Sequence, residues 1–133
     1  MTRVFADSFY FFAVLNRKDN AHQKAIEFAT QHSNPMVTTA WVLTELADGL
    51  AATAYRGVFS QLVARIRAEP GNEIIPPNEE LMARGMALYD ERPDKEWSLT
   101  DCISFVAMQD RKISDALTGD HHFEQAGFKV LLK

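Results

Sequence analysis

The sequence predicts an α/β fold: a short, mostly parallel, five-stranded sheet flanked by helices. Three observations predict it. Short apolar runs recur at residues 3–6, 36–38, 73–75, 116–118 and 129–132, each strand-sized and too brief for a stable helix. Segments with helical spacing of apolar residues separate most successive runs, and such alternation belongs to parallel sheets. Finally, a chain of 133 residues can bury roughly two-thirds of its unfolded surface in one core. Residues 1–133 are therefore expected to form a single domain.

Arg3-Val4-Phe5-Ala6 reads as a buried strand ending at Asp7. Ser8 to Asn16 follows as a helix apolar almost all round, hence buried. Asp19-Asn20 can cap a second helix reaching about Gln31, with Ala21, Ala25, Phe28 and Ala29 at helical spacing. Asn34-Pro35 breaks it before the strand Met36-Val37-Thr38. Thr39 to Tyr55 is helical in pattern, with Gly57 as its stop. Val58, Leu62, Val63 and Ile66 mark a further amphipathic helix, ended by Pro70-Gly71 and followed by the strand Glu73-Ile74-Ile75. Asn78 caps a helix with Glu79 and Glu80 in its first turn, where the macrodipole favours acids, running to about Arg92. Ser98-Leu99-Thr100-Asp101 starts the next helix in a loose capping-box pattern. Ala116-Leu117-Thr118, a single turn from Asp120 to Gln125, and Lys129 to Leu132 complete the chain.

Composition narrows the function. Fourteen Lys and Arg stand against eighteen Asp and Glu, for a net charge of −4, so a broad basic footprint for nucleic acid is excluded. Six Gly, five Pro and one cysteine, Cys102, exclude collagen-like and disulfide-scaffold classes and fit a reducing compartment. The apolar run Phe9 to Leu15 is far below the ~20 residues of a membrane span and lacks signal-peptide flanks, so the protein is expected to be soluble and cytoplasmic. If four of the acids share one pocket, fourteen bases face fourteen acids elsewhere, and the acidity is local.

Four acids qualify. In open parallel sheets ligands sit beyond the carboxyl ends of the strands. Asp7 ends the first strand and Asp120 lies just beyond the fourth. Glu45 falls about two turns into the helix after the second strand, amid Trp41, Leu43 and Leu46, where an acid without a partner is costly. Asp101 lies in the first turn of the helix leading to the fourth strand. Each also has a plain structural reading: Asp7, Asp101 and Asp120 as helix caps, Glu45 as a snorkelling surface group. Hydroxyls stand beside each acid (Ser8, Thr44, Thr100 and Thr118), and such neighbours can orient carboxylates.

The runs Val4-Phe5-Ala6-Asp7-Ser8, Leu43-Thr44-Glu45-Leu46, Leu99-Thr100-Asp101-Cys102 and Leu117-Thr118-Gly119-Asp120-His121-His122-Phe123 together resemble the PIN-domain ribonucleases, most of all the VapC-type toxins of bacterial toxin–antitoxin pairs. The resemblance covers the chain from Val4 to the last strand. It implies the PIN-like three-layer sandwich and a metal-dependent endoribonuclease. Asp7, Glu45, Asp101 and Asp120 take the family's acidic, catalytic metal-site positions, and Thr118 the polar position beside the last acid. It also implies an RNA substrate, a cognate antitoxin that blocks the groove, and a homodimer, for which Val58 to Ile66 is a candidate surface.

Converging carboxylates repel one another, and a divalent cation removes that conflict. Mg²⁺ or Mn²⁺, which take hard oxygen ligands, suit the set; no Cys-His cluster of zinc spacing is present. The expected chemistry is hydrolysis of an RNA phosphodiester by an activated water, without a covalent intermediate. Asp115, at the far end of its strand, is excluded; Asp48 is an outlying possibility, and His121 and His122 are expected beside a cap at the surface, with protonation of a leaving group near the site as the alternative. Basic residues should rim the acidic mouth, with Arg17, Lys18, Lys95, Arg111 and Lys112 as candidates. Receiver domains need a phosphoacceptor Asp after the third strand, haloacid-dehalogenase-type phosphatases need D-x-D, and nucleotide folds need Gly-rich first turns; all are missing. The remaining rival is the same fold as a catalytically silent RNA-binding or interaction module.

Overall fold

The computed structural model describes residues 2–133. Its five strands are β1 (Val4–Ala6), β2 (Met36–Thr39), β3 (Glu73–Ile75), β4 (Asp115–Leu117) and β5 (Lys129–Val130). They pair in the order β3-β2-β1-β4-β5, and every pairing is parallel. The helices α1 (Ser8–Leu15), α2 (His22–Gln31), α3 (Ala40–Leu50), α4 (Phe59–Ala68), α5 (Glu79–Glu91), α6 (Leu99–Asp110) and α7 (His121–Gln125) flank the sheet.

Strand order fixes where a ligand can sit. The chain adds β2 and β3 on one side of β1, then crosses back to lay β4 on its other side. The carboxyl ends of β1 and β4 thus border the topological switch point, where connections leave in opposite directions and open a crevice. Asp7 follows β1 directly, and Thr118-Gly119-Asp120 follows β4. Phe5, Ala6, Ala116 and Leu117 are fully buried beneath them. That apolar floor gives the acids a fixed base.

Helix α6 is buried at every position from Asp101 to Met108, as its weak amphipathicity requires. It packs against α5 at Gly85, where an added Cβ would fall 2.3 Å from Ile103 Cγ1. Only glycine permits that approach. Trp97 ties the loop before α6 to α7, its Nε1 donating to Gln125 Oε1 at 3.0 Å.

Two predicted boundaries differ. Thr39 to Tyr55 is not one helix: Thr39 accepts from the Val42 amide as N-cap, and α3 ends at Leu50. Thr53 Oγ1 donates to the Leu50 carbonyl and Arg56 Nη1 to the Ala51 carbonyl, satisfying backbone acceptors that a longer helix would have used. Similarly, Asp19 braces the turn before α2 by accepting from the Ala21 amide, so the helix opens at His22 rather than beside Asn20. The caps at Asn78 and Ser98 form where expected, the latter as a full capping box with Asp101.

Candidate functional site

Asp7 sits at the N-cap position of α1, yet its side chain makes no capping bond. Instead Thr118 Oγ1 donates to Asp7 Oδ2 at 2.9 Å. The same hydroxyl accepts from the Asp120 amide at 3.1 Å, so Thr118 bridges the first and last acids across the switch point. Ser8 Oγ donates to Glu45 Oε1, tying α1 to α3. The hydroxyls therefore act crosswise, each reaching an acid from another part of the chain. Thr44 departs from the expectation, donating back to the Ala40 carbonyl within its own helix.

Asp101 is both cap and cluster member. Its Oδ2 accepts from the Ser98 amide at 3.1 Å and lies 3.1 Å from His122 Nδ1. Asp120 caps the short α7 by accepting from the His122 amide at 2.9 Å, and its Oδ1 lies 3.5 Å from the same His122 Nδ1. His122 is thus a part of the site that sequence reasoning set at the surface. Its place two residues after Asp120 puts it near that acid in the chain, and the packing of α7 against α6 brings its ring to Asp101. His121 is exposed, although its Nδ1 is 3.7 Å from Asp120 Oδ1, and Asp48 is also exposed.

Electrostatics join the four acids. Asp7 is 5% exposed, and burial above all lifts its carboxyl to about 7; the negative fields of Asp101 and Glu45 add to the rise, while the Thr118 bond opposes it. Burial likewise raises Asp101, with Asp120 adding to it and the Ser98 and His122 bonds opposing. Among the described residues no Lys or Arg pairs with Asp7, Glu45, Asp101 or Asp120; the sole basic neighbours are the two histidines. The hydroxyl and amide donors that hold these acids bring no formal charge to offset theirs.

The proposed basic rim is only partly there. Arg111 is committed elsewhere, its Nη2 2.8 Å from Glu73 Oε2 at the amino end of the sheet, and Lys112 follows it there. The expectation fails for both because β4 points away from them towards the acids. Lys18 lines a cavity that reaches Gly119, and Lys95 lines another that reaches Cys102. Lys24, which the sequence did not single out, joins Lys18.

A family model for the PIN domain matches residues 4–129. The chain belongs to the PIN-domain family. Its fold also matches solved structures at low identity. VapC20 of Mycobacterium tuberculosis, described as a sarcin–ricin loop cleaving toxin, aligns with a TM-score of 0.82 and 22% identity over 94% of this chain and 95% of that one. FitAcB from Neisseria gonorrhoeae gives 0.67 and 16%, covering 96% of each chain. VapBC2 from Rickettsia felis, bound to a DNA fragment from its promoter, gives 0.66 and 12%, covering 97% of each. No curated protein sequence matches this PIN-domain chain significantly.

Proposed function

We propose that this PIN-domain protein is a divalent-metal-dependent endoribonuclease, hydrolysing RNA phosphodiester bonds as the toxin of a type II toxin–antitoxin pair. The observation that carries the reading is a chain of like-charged neighbours: Asp7 feels the fields of Asp101 and Glu45, Asp101 feels that of Asp120, and no Lys or Arg pairs with any of them among the described residues. Their donors are hard carboxylate oxygens, which fit Mg²⁺ or Mn²⁺, and these four residues would hold the ion. When bound, such an ion lowers the pKa of water and offsets negative charge on the phosphate under attack.

The remaining chemistry belongs to the chain. Thr118 fixes Asp7 and Ser8 fixes Glu45, so neither carboxylate has to be ordered when the cation arrives. Asp101 is held twice, by the Ser98 amide and by His122. Burial holds the Asp7 carboxyl up at about 7, so a cation held there would favour its deprotonated form and displace a proton. Hydrolysis needs no nucleophilic side chain; the buried Cys102 thiol, pushed up to about 11 by burial, is unsuited to be one.

The toxin assignment is supported by the likeness to a sarcin–ricin loop cleaving toxin and to a VapBC2 assembly on promoter DNA. It carries with it an antitoxin partner and a place in the cytoplasm; no helix among the described residues is long and apolar enough to cross a membrane. A second copy of the chain is the other expected partner, with Tyr55, Met86 and Tyr89 as its exposed large apolar side chains. The test is incubation of purified protein with structured RNA and Mg²⁺ or Mn²⁺. Cleavage that stops with chelator and in Asp7→Ala supports the reading. Cleavage persisting in Asp7→Ala contradicts it, and binding of RNA without cleavage under any divalent metal would favour the silent module.

A further inference from the structure

Beside the acid cup lies a second feature with the opposite charge. A cavity of about 540 Å³ opens between the α1–α2 connection and the turn after β4. Lys18, Asp19, Asn20 and Lys24 supply its polar wall, while Phe9, Ala21, Gly119 and Leu132 supply the rest of its lining. None of the four acids lines it; it meets their site through Gly119, which sits between Thr118 and Asp120, and through Phe9, which follows Ser8, the residue bonded to Glu45. The glycine is required there. A Cβ at 119 would fall 2.6 Å from Phe9 Cζ and 3.3 Å from the Leu132 carbonyl oxygen, so only glycine lets the Phe9 ring close against the turn.

Both lysines are exposed, and neither forms a salt bridge with a described residue. Asp19 also borders the cavity, but its carboxylate is occupied by the Ala21 amide at 2.8 Å. The local balance is two ammonium groups against one bonded carboxylate. A second cavity of about 380 Å³, reaching Cys102, has no such surplus. There Arg92 and Lys95 meet Asp90 and Glu96, and Arg92 is further held by Asp94 and lies over Trp97.

We propose that the Lys18–Lys24 groove is an RNA subsite flanking the scissile phosphate, in which the two ammonium groups pair with backbone phosphates while Phe9 and Leu132 carry a ribose or base. The inference rests on the nuclease reading and deepens it. A negatively charged strand entering an acidic cup needs positive charge to hold it on the approach, and this is the groove where that charge is free. Apolar side chains beside cations suit a single strand, whose bases offer flat faces as its phosphates are neutralised.

The test separates binding from chemistry. In an Asp7→Asn background, which keeps RNA intact, affinity for a structured RNA oligonucleotide is measured by fluorescence anisotropy across a salt series. Adding Lys18→Ala and Lys24→Ala should weaken binding about tenfold at low salt and flatten the slope of log K against log salt by about 1.4, from ~0.7 per phosphate contact on a single strand. With Asp7 restored, the double lysine variant should raise KM and leave kcat unchanged, whereas Lys129→Ala, an exposed lysine at the opposite end of the sheet, should alter neither. An unchanged salt slope, or an equal loss from Lys129→Ala, overturns the subsite. Absence of cleavage with lysine-dependent binding retained would instead remove the nuclease reading and leave the RNA groove standing.

Discussion

The two ends of one sheet treat carboxylates in opposite ways. At the amino end, Glu73 opens β3 and is clasped by Arg111, through Nε at 3.1 Å and Nη2 at 2.8 Å, and by Arg3 at 3.3 Å. The Arg111 bond leads in holding its carboxyl below the ordinary range. At the carboxyl end, Asp7 and Asp101 are buried among like charges, and both carboxyls are raised. Glu73 is satisfied within the fold. Asp7 is supported by one hydroxyl and surrounded by charge of its own sign, an arrangement that lowers stability unless something positive enters. The contrast marks one end as a clamp and the other as a site.

The largest effect expected on this contrast is at Asp7. Asp7→Asn keeps the shape and should bring RNA cleavage to background, whereas Glu73→Gln should leave turnover unchanged in the same assay. Next comes Thr118→Val, which removes the bridge between Asp7 and Asp120 without removing an acid. Cleavage should fall roughly ten- to a hundredfold, the usual penalty for losing a group that orients a metal-binding side chain, and Mn²⁺ affinity should weaken in parallel.

Acidity distinguishes the two ends in sign. Asp7 has its carboxyl raised from 3.8 to about 7, so the folded state holds a proton that the unfolded chain gives up. Its contribution to stability is complete below about pH 4 and is lost as pH rises through about 7, at most about 4 kcal/mol from one group. Metal-free protein should therefore lose Tm over that window in urea or thermal melts, and Asp7→Asn should abolish most of the loss. Glu73 runs the other way: its help is present above the ordinary carboxyl range and disappears as pH falls through its lowered value. Being about a third exposed, the clamp is worth only about 0.5–1 kcal/mol, the smallest effect here, readable as a small drop in denaturation midpoint for Arg111→Ala.

Sequence made the architecture legible because helical segments separate most of the strand-sized apolar runs, and parallel order follows from that alternation. The strand-end positions of Asp7 and Asp120 were legible for the same reason. Long-range partners were not. That Thr118 would reach Asp7, or Ser8 reach Glu45, depends on which strand lies beside β1, and strand order is absent from local pattern. His122 was read first as a surface group because a histidine after a cap carries no local sign of facing inward; it is the packing of α7 against α6 that brings it to Asp101. Arg111 and Lys112 were rim candidates with no face assigned, and it is the polarity of β4 that sends them to the opposite end. Helix α3 stopped early because Thr53 and Arg56 took the carbonyls of Leu50 and Ala51, a local choice between two permissible endings that apolar spacing does not register.

The claim at the centre is that the charge gathered beyond β1 and β4 is a receptacle for a divalent cation. Calorimetric titration of metal-free protein with Mn²⁺ at pH 7.5 addresses it without any RNA. Saturable uptake with proton release, lost in Asp7→Asn and in Asp101→Asn but intact in Glu73→Gln, is the predicted result. Uptake that is absent from the wild type, or that survives both aspartate substitutions, would contradict it.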